Sequence, residues 1–325
     1  MKPTLLRSLG LSLLLALALA VPFVASGYQI FQATMVLVYA IALFGLNILT
    51  GYNGQISLGH GAFYAIGAYS AAILIDHQIV PDWATVPIAG AICLVVGYLF
   101  GRPAARLAGL YLALATFALA VATPQILKYR GFEHWTGGSQ GIILDKPDPP
   151  AFLPIDADQW LYLCCLAVTL VLFVLGRNLL RGRIGRALLA IRDHPIAAAS
   201  MGIDTARYKA MTFGVSAAYT GIAGALGTFA AAFASPDSFD AFLSLRFLVG
   251  IVVGGLGSIS GAFFGAAFIE FVPNLADRIS KAAPWAIYGV LLILVIYLMP
   301  SGVAGLIRAM TQKINRDKET IREET

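Results

Sequence analysis

The chain has 325 residues, 59% of them hydrophobic and only 12% charged, with a mean hydropathy of +0.80. A soluble domain carries about 25% charged residues, so this composition excludes a water-facing globular surface and makes lipid the main solvent. The net charge of +5 does not point to nucleic acid, because the basic residues gather in loops and tails, where they set membrane topology.

Residues 5–25 form an apolar run behind Lys2 and Arg7. It is either a secretory signal, with Val24-Ala25-Ser26 near a cleavage site, or a first membrane span, and its length favours the span. Further spans are expected at 30–50, 56–75, 84–101 and 107–127, then at 159–176, 210–233 and 284–300. Each is close to the roughly 20 residues that cross the hydrocarbon as a helix, which pairs every backbone group internally. Residues 242–273 are too long for one span, and Gly254, Gly255 and Gly257 divide them into two segments. The expected fold is an all-α, polytopic integral membrane protein of about ten transmembrane helices, a single domain over 1–325.

The loops carry the orientation. Residues 128–158 hold more acids (Glu133, Asp145, Asp148, Asp156, Asp158) than bases (Lys128, Arg130, Lys146), which suits the outside. Residues 177–209 reverse that balance, with Arg177, Arg181, Arg183, Arg186, Arg192, Arg207 and Lys209 against Asp193 and Asp204. Such a loop belongs in the cytoplasm, because Lys and Arg resist translocation. Arg102, Arg106 and the charged tail at 308–325 also suit the inside, while Arg278 and Lys281 are a mild exception. Ten spans put both termini in the cytoplasm.

The basic loop has internal order. His194-Pro195 reads as a helix start, with proline at the first helical position. Gly202 reads as the matching stop in the left-handed conformation. The small residues between them, Ala197 and Ala198 among them, let another protein approach the backbone closely.

Gly54-Gln55-Ile56-Ser57, followed after three residues by Gly61-Ala62-Phe63, is echoed by Gly257-Ser258-Ile259-Ser260-Gly261-Ala262-Phe263. Glycine-interrupted segments at matching places in two halves mark a repeat around a transport path; chance in a Gly/Ala/Ser-rich chain is the other explanation. Gly257, Gly261 and Gly265 recur every four residues and predict a smooth stripe for close helix packing. Gly221, Gly224 and Gly227 suggest the same on the seventh span.

Catalytic and metal motifs are missing. The cysteines, Cys93, Cys164 and Cys165, lie in apolar segments without C-x-x-C spacing. There is no P-loop and no H-E-x-x-H, so no metal or cofactor is expected on the chain. Gly137-Gly138-Ser139-Gln140-Gly141 matches G-x-S-x-G, but a loop between spans lacks the strand, turn and helix that a hydrolase nucleophile needs. Glu270 is the main intramembrane charge, near the end of its segment. His60 is the histidine inside an apolar segment, and packing explains it better than ligation. These features leave no proton relay and no ATP-binding machinery on the chain.

Several stretches together resemble one family. They are Gly51-Tyr52-Asn53-Gly54-Gln55-Ile56-Ser57-Leu58-Gly59-His60-Gly61-Ala62-Phe63 with Gly67-Ala68-Tyr69, and Thr136-Gly137-Gly138-Ser139-Gln140-Gly141. To these are added Gly185-Arg186-Ala187-Leu188, Ala190-Ile191-Arg192-Asp193 and Gly254-Gly255-Leu256-Gly257-Ser258. In order and spacing they are similar to branched-chain amino acid ABC transporter permeases of the LivM type, over nearly the whole chain. The resemblance implies an ABC importer permease fold in the bacterial inner (plasma) membrane. It implies a second, LivH-like permease, two cytoplasmic ATP-binding subunits that hold ATP and Mg²⁺, and a periplasmic solute-binding protein.

In this likeness Arg192, Asp193, Ala197, Ala198 and Gly202 belong to the element that couples to the ATPase. Ile196 stands where the general coupling motif of ABC permeases has Glu, so docking rests on shape and on nearby arginines. Asn53, Gln55, Ser57 and His60 are candidates to line or gate the path, or else to satisfy backbone groups at a helix break. Trp135, Gly137 and Gly138 are candidates for docking the binding protein. The cargo expected is a branched-chain or related hydrophobic amino acid, with urea, amides or another small polar solute as the alternative. A stand-alone channel or secondary carrier, and a membrane enzyme using Ser139 and His134, are the competing functions.

Overall fold

Lipid offers no hydrogen bonds to the backbone, so long apolar runs close into helices, and helix dominates the computed structural model. It describes residues 3–107, 109–151, 153–279, 281, 284–299, 301–307 and 309. In chain order the elements are α1 (Pro3–Val24), α2 (Gly27–Asn47) with a π turn at Ile48–Tyr52, α3 (His60–Asp76), α4 (Asp82–Ala104), α5 (Leu110–Leu127) and the short α6 (Glu133–Thr136). Strand β1 (Ile142–Ile143) precedes α7 (Ala157–Arg181), α8 (Arg183–Asp193), α9 (Pro195–Ser200) and α10 (Thr205–Ala231). Strand β2 (Phe233–Ala234) and a 3₁₀ turn (Pro236–Phe239) lead to α11 (Ala241–Gly254), α12 (Gly261–Ile279) and α13 (Pro284–Leu298). The charged tail expected over 308–325 lies outside the described residues apart from residue 309.

The expected spans correspond to α1–α5, α7 and α10–α13. Five described helices are long and apolar enough to cross a membrane by length and composition: Gly27–Tyr52, α4, α5, α7 and α10. The span expected at 56–75 begins as a helix only at His60, because residues 54–59 form no regular structure. The run over 242–273 divides between Gly254 and Gly261, as its glycines predicted. The fold is all-α and membrane-spanning.

Helix α10 is the axis. Its apolar stretch is 89% buried inside the chain, against 28% for α7 and 33% for α5, which places α10 at the centre and the other two at the periphery. Helices α2, α3 and α4 pack around it. Close approach is possible because small residues face one another. A Cβ at Gly101 on α4 would lie 2.7 Å from Phe213 Cβ, and one at Gly224 on α10 only 3.0 Å from Ala68 N on α3. Two threonine hydroxyls inside α10 turn back on their own helix, Thr220 Oγ1 to Ser216 O and Thr228 Oγ1 to Gly224 O, both at 3.0 Å, so neither is left without a partner in the core.

Helix α1 is seated against α7, where Tyr162 donates to Ala18 O at 2.9 Å and Gln159 Nε2 to Pro22 O at 2.8 Å. At the same end of the bundle the 128–158 loop is fastened down. Strands β1 and β2 pair antiparallel, Ile142 opposite Ala234 and Ile143 opposite Phe233. Lys128 pairs with Asp237, and Lys146 with Asp158 at 2.6 Å. The α8–α9 arm occupies the opposite end.

Candidate functional site

Two interrupted helix pairs meet back to back. The first is α2, its π turn and the irregular 54–59 leading to α3; the second is α11, residues 255–260 and α12. Asn47, the last residue of α2, ties them. Its Nδ2 donates to Ser258 O at 2.7 Å and its Oδ1 accepts from Gly257 N at 2.8 Å. A Cβ at Gly51 would lie 2.5 Å from Gly257 N, so the contact is backbone against backbone. Gly54 and Gly257, paired in the sequence repeat, have φ of +71° and +72°, a left-handed conformation that glycine adopts without a steric penalty. Both repeats then enter a helix through Gly-Ala-Phe. Asn47 was not singled out from the sequence; its signal was a lone amide at the end of an apolar run.

Burial alternates along this irregular segment. Asn53, Gln55, Ser57 and Gly59 are buried, whereas Gly54 and Ile56 are exposed and Leu58 is half-buried. The four polar residues that are candidates for a path or for serving the helix break, Asn53, Gln55, Ser57 and His60, are turned into the protein, with exposures of 2%, 4%, 0% and 0%. The outward side chains are Ile56 and Leu58. The reason is that a backbone without helical hydrogen bonds needs polar partners from the protein itself. Leu58 N donates to Thr116 Oγ1 and Gly61 N to Ser244 Oγ, both at 2.9 Å, while Thr50 Oγ1 donates to Gln55 O at 3.0 Å.

His60 pins the start of α3. Ser216 Oγ donates its one proton to Gly45 O at 2.6 Å, so it accepts from His60 Nε2 at 2.7 Å. That assigns the ring proton to Nε2 and leaves Nδ1 to accept from Ser57 Oγ at 2.9 Å. The imidazole thus ties Ser57 and the start of α3 to α10, and Ser216 carries the link on to α2. Asn53 Nδ2 donates to Gln55 Oε1 at 3.0 Å, but Asn53 Oδ1 and Gln55 Nε2 are buried without a partner.

The α8–α9 arm reaches this junction. Leu188 and Ile191 bury one face of α8 while Arg183, Arg186 and Arg192 stay exposed. Arg192 turns back: Nη1 donates to Gly51 O at 2.8 Å and Nε to Asp193 Oδ1 at 2.9 Å. Its stem covers Gly54, where a Cβ would lie 2.9 Å from Arg192 Cγ. Helix α9 starts with Pro195 at its first turn and ends in a Schellman motif. Gly202, at φ +83°, donates to Ala199 O at 3.0 Å, and Ile203 N to Ala198 O at 3.1 Å. Asp204 then caps α10 by accepting from Arg207 N at 3.0 Å. Ala198 is the inward anchor of α9, while Ala197 is exposed and Ile196 and Met201 stand 84% and 83% exposed, an apolar tip. A crevice of about 470 Å³ separates this arm from α10, lined by Gly202, Asp204, Tyr208 and Thr212 among others.

At the other end, Trp135 stacks on His77 with centroids 4.6 Å apart and remains 47% exposed. Gly137, Gly138 and Gly141 have φ of +69°, +56° and +77°. Thr136 Oγ1 reaches Leu127 O at 2.8 Å, closing this turn over the end of α5. The glycines of this motif thus shape the loop. Ser139 is exposed and has no hydrogen bond to His134, whose ring lies edge-on to Trp135 and His77.

The glycine stripe begins at Gly261, since Gly257 lies in the break and not on α12. A Cβ at Gly261 would lie 2.7 Å from Gly254 O and one at Gly265 2.7 Å from the Gly250 carbonyl carbon, so α11 and α12 cross with little between them.

Residues 29–299 match the family described as branched-chain amino acid transport system / permease component. The chain is 34% identical over 330 residues to the high-affinity branched-chain amino acid transport system permease protein LivM of Salmonella typhimurium and to that of Escherichia coli, covering 94% of this chain and 76% of each relative. It is 26% identical over 288 residues to the LivH permease protein of Escherichia coli, covering 82% of this chain and 91% of that protein. No solved structure matches. The matched region runs through both helix breaks and the α8–α9 arm, and the chain belongs to the branched-chain amino acid transport permease family.

Proposed function

We propose that this chain is one of two permease subunits of an ATP-driven importer of branched-chain amino acids in the bacterial inner (plasma) membrane. Likeness to both LivM and LivH supports a pair of related permeases. A periplasmic solute-binding protein delivers the cargo, and two cytoplasmic subunits bind and hydrolyse ATP with Mg²⁺. The exposed arginines around α8 support a cytoplasmic position for that end. The 128–158 loop is then periplasmic, with Trp135, Gly137 and Gly138 offered to the binding protein, and both termini are cytoplasmic. Residues 1–325 act as one permease domain.

The observation that carries this mechanism is the 2.8 Å hydrogen bond from Arg192 Nη1 to Gly51 O. ATP-driven closure of the ATPases displaces α9 and with it α8. Arg192 passes that displacement to the first break, and Asn47 passes it to the second. The path opens to one side and then the other, because the two states bind the partners differently.

The test is leucine uptake by the complete importer in proteoliposomes. Uptake is expected to require ATP, both ATPases and the binding protein; uptake by the two permeases alone would make the chain a channel or carrier. Ile196→Asp, which puts a charge on the apolar tip of α9, is expected to reduce co-purification of the ATPases and to lower uptake several-fold.

Gly202→Val has free space, since a Cβ there meets nothing within 4 Å. It nevertheless forces a β-branched residue to positive φ, which costs about 1–3 kcal/mol. Uptake should fall while membrane insertion persists, and Gly202→Asn, which tolerates that conformation, should retain most of it.

A further inference from the structure

Arg246 on α11 and Glu270 on α12 are charges set deep in apolar helices; Glu270 lies midway along α12 and not near the end of its segment, because the helix runs on to Ile279. Counting along the helices from the second break, Arg246 lies about 12 Å above Gly254 and Glu270 about 14 Å above Gly261. Tyr39 lies about 12 Å above Asn47, which is bonded to the same break. The three side chains therefore share one level near the middle of the bundle, on three helices that pack together. Arg246 bears electrostatically on Glu270, and both bear on Tyr39.

Two features set this group apart from a structural ion pair. Arg246 forms no ion pair with any described carboxylate, and its Nε is buried without a partner. All three residues are also only partly covered by the rest of the chain. A guanidinium at mid-depth is costly against lipid and turns to a polar cavity or partner. The opposite charges are close enough to feel each other without forming an ion pair. Leu245 and Phe271, the chain neighbours of Arg246 and Glu270, are exposed on the same two helices.

We infer that Arg246 and Glu270 form a binding site for the amino-acid zwitterion on the face of this chain that lines the path. The guanidinium takes the carboxylate through paired N–H donors, Glu270 takes the ammonium, and Leu245 and Phe271 receive the branched side chain. This rests on the importer function proposed above and specifies which groups of the cargo the membrane subunit recognises. A permease that reads the zwitterion discriminates a second time after the binding protein, because a solute lacking either charge leaves a desolvated partner behind.

The test uses the complete importer in proteoliposomes, with radiolabelled leucine and the ATPase activity stimulated by leucine-loaded binding protein as separate readouts. Arg246→Gln is expected to lower uptake by about thirtyfold or more, the effect of unpairing a desolvated charge. Arg246→Lys should keep a larger share of uptake, Glu270→Gln should lower it, and stimulated ATPase activity should persist in all three variants. Uptake by Arg246→Gln within about twofold of the unaltered importer, well below that thirtyfold effect, would overturn the inference. So would failure of that variant to co-purify with the second permease, which makes Arg246 an interface residue, or loss of stimulated ATPase activity, which makes it a coupling residue. If the unaltered importer itself moves no leucine, the underlying function fails, a result separate from any defect confined to the variants.

Discussion

Gly67→Leu is expected to leave little folded protein. Helices α3 and α10 cross with their backbones in contact, and a Cβ at Gly67 would lie 2.5 Å from Gly221 Cα. A flexible side chain yields to such a contact, but a backbone yields only if the whole helix moves. Helix α10 has nowhere to move, because a Cβ at Gly221 would itself lie 2.6 Å from Cys93 Cβ on α4. Overpacking in a well-filled core costs about 1–3 kcal/mol when neighbours adjust. Here the crossing must open and its contacts be lost, so the expected cost exceeds that range and approaches the whole stability of a domain, about 5–15 kcal/mol. The measurement is the thermal midpoint and monodisperse yield of the purified protein. Gly27→Leu is the control, since a Cβ there meets nothing within 4 Å. A Gly67→Leu protein that melts with the unaltered one would mean that α3 and α10 do not cross this closely.

Periodicity and turn chemistry carried most of the helices. Pro195 and Gly202 bracket α9 because a missing N–H and a positive φ are local properties. The division of 242–273 was visible for the same reason, as glycines interrupt an apolar run. Orientation within the irregular segment was not visible. Polarity left open whether Asn53, Gln55, Ser57 and His60 face a path or serve the helix break, because the partners that hold this segment, Thr116 on Leu58 N and Ser216 on His60, lie 58 and 156 residues away. Gly257 read as part of a four-residue stripe because glycine spacing does not show where a helix starts. Arg246 passed unremarked for a different reason: one cation in Ala241–Gly254 barely changes the hydropathy of the run, and its significance lies in its nearness to Glu270 on the next helix. The repeat was legible as words, while the meeting of Gly51 with Gly257 belongs to the tertiary structure.

Arg192→Ala is expected to cut leucine uptake by the reconstituted importer by about five- to 150-fold while the ATPases still bind and hydrolyse ATP. The substitution strips Gly51 O of the Arg192 donor at 2.8 Å and removes the stem that covers Gly54. Leaving such a group without its partner costs about 1–3 kcal/mol, which sets the fold-change range through the tenfold-per-1.4 kcal/mol relation. The loss should fall on coupling more than on folding, because Arg192 is 38% exposed and the junction keeps its Asn47 bonds to the second break. Arg192→Lys is the informative companion. A single ammonium lacks the fork that serves Gly51 O and Asp193 together, so an intermediate uptake is expected. Gly54→Ala approaches the same contact from the other side, forcing φ +71° on a residue with a Cβ and setting that Cβ 2.9 Å from Arg192 Cγ. It should lower uptake in the unaltered background but add little to Arg192→Ala, since the two changes break one joint. Full additivity of the two, or normal uptake by Arg192→Ala, would mean that force from the α8–α9 arm enters the bundle elsewhere, through the start of α10 beyond Asp204.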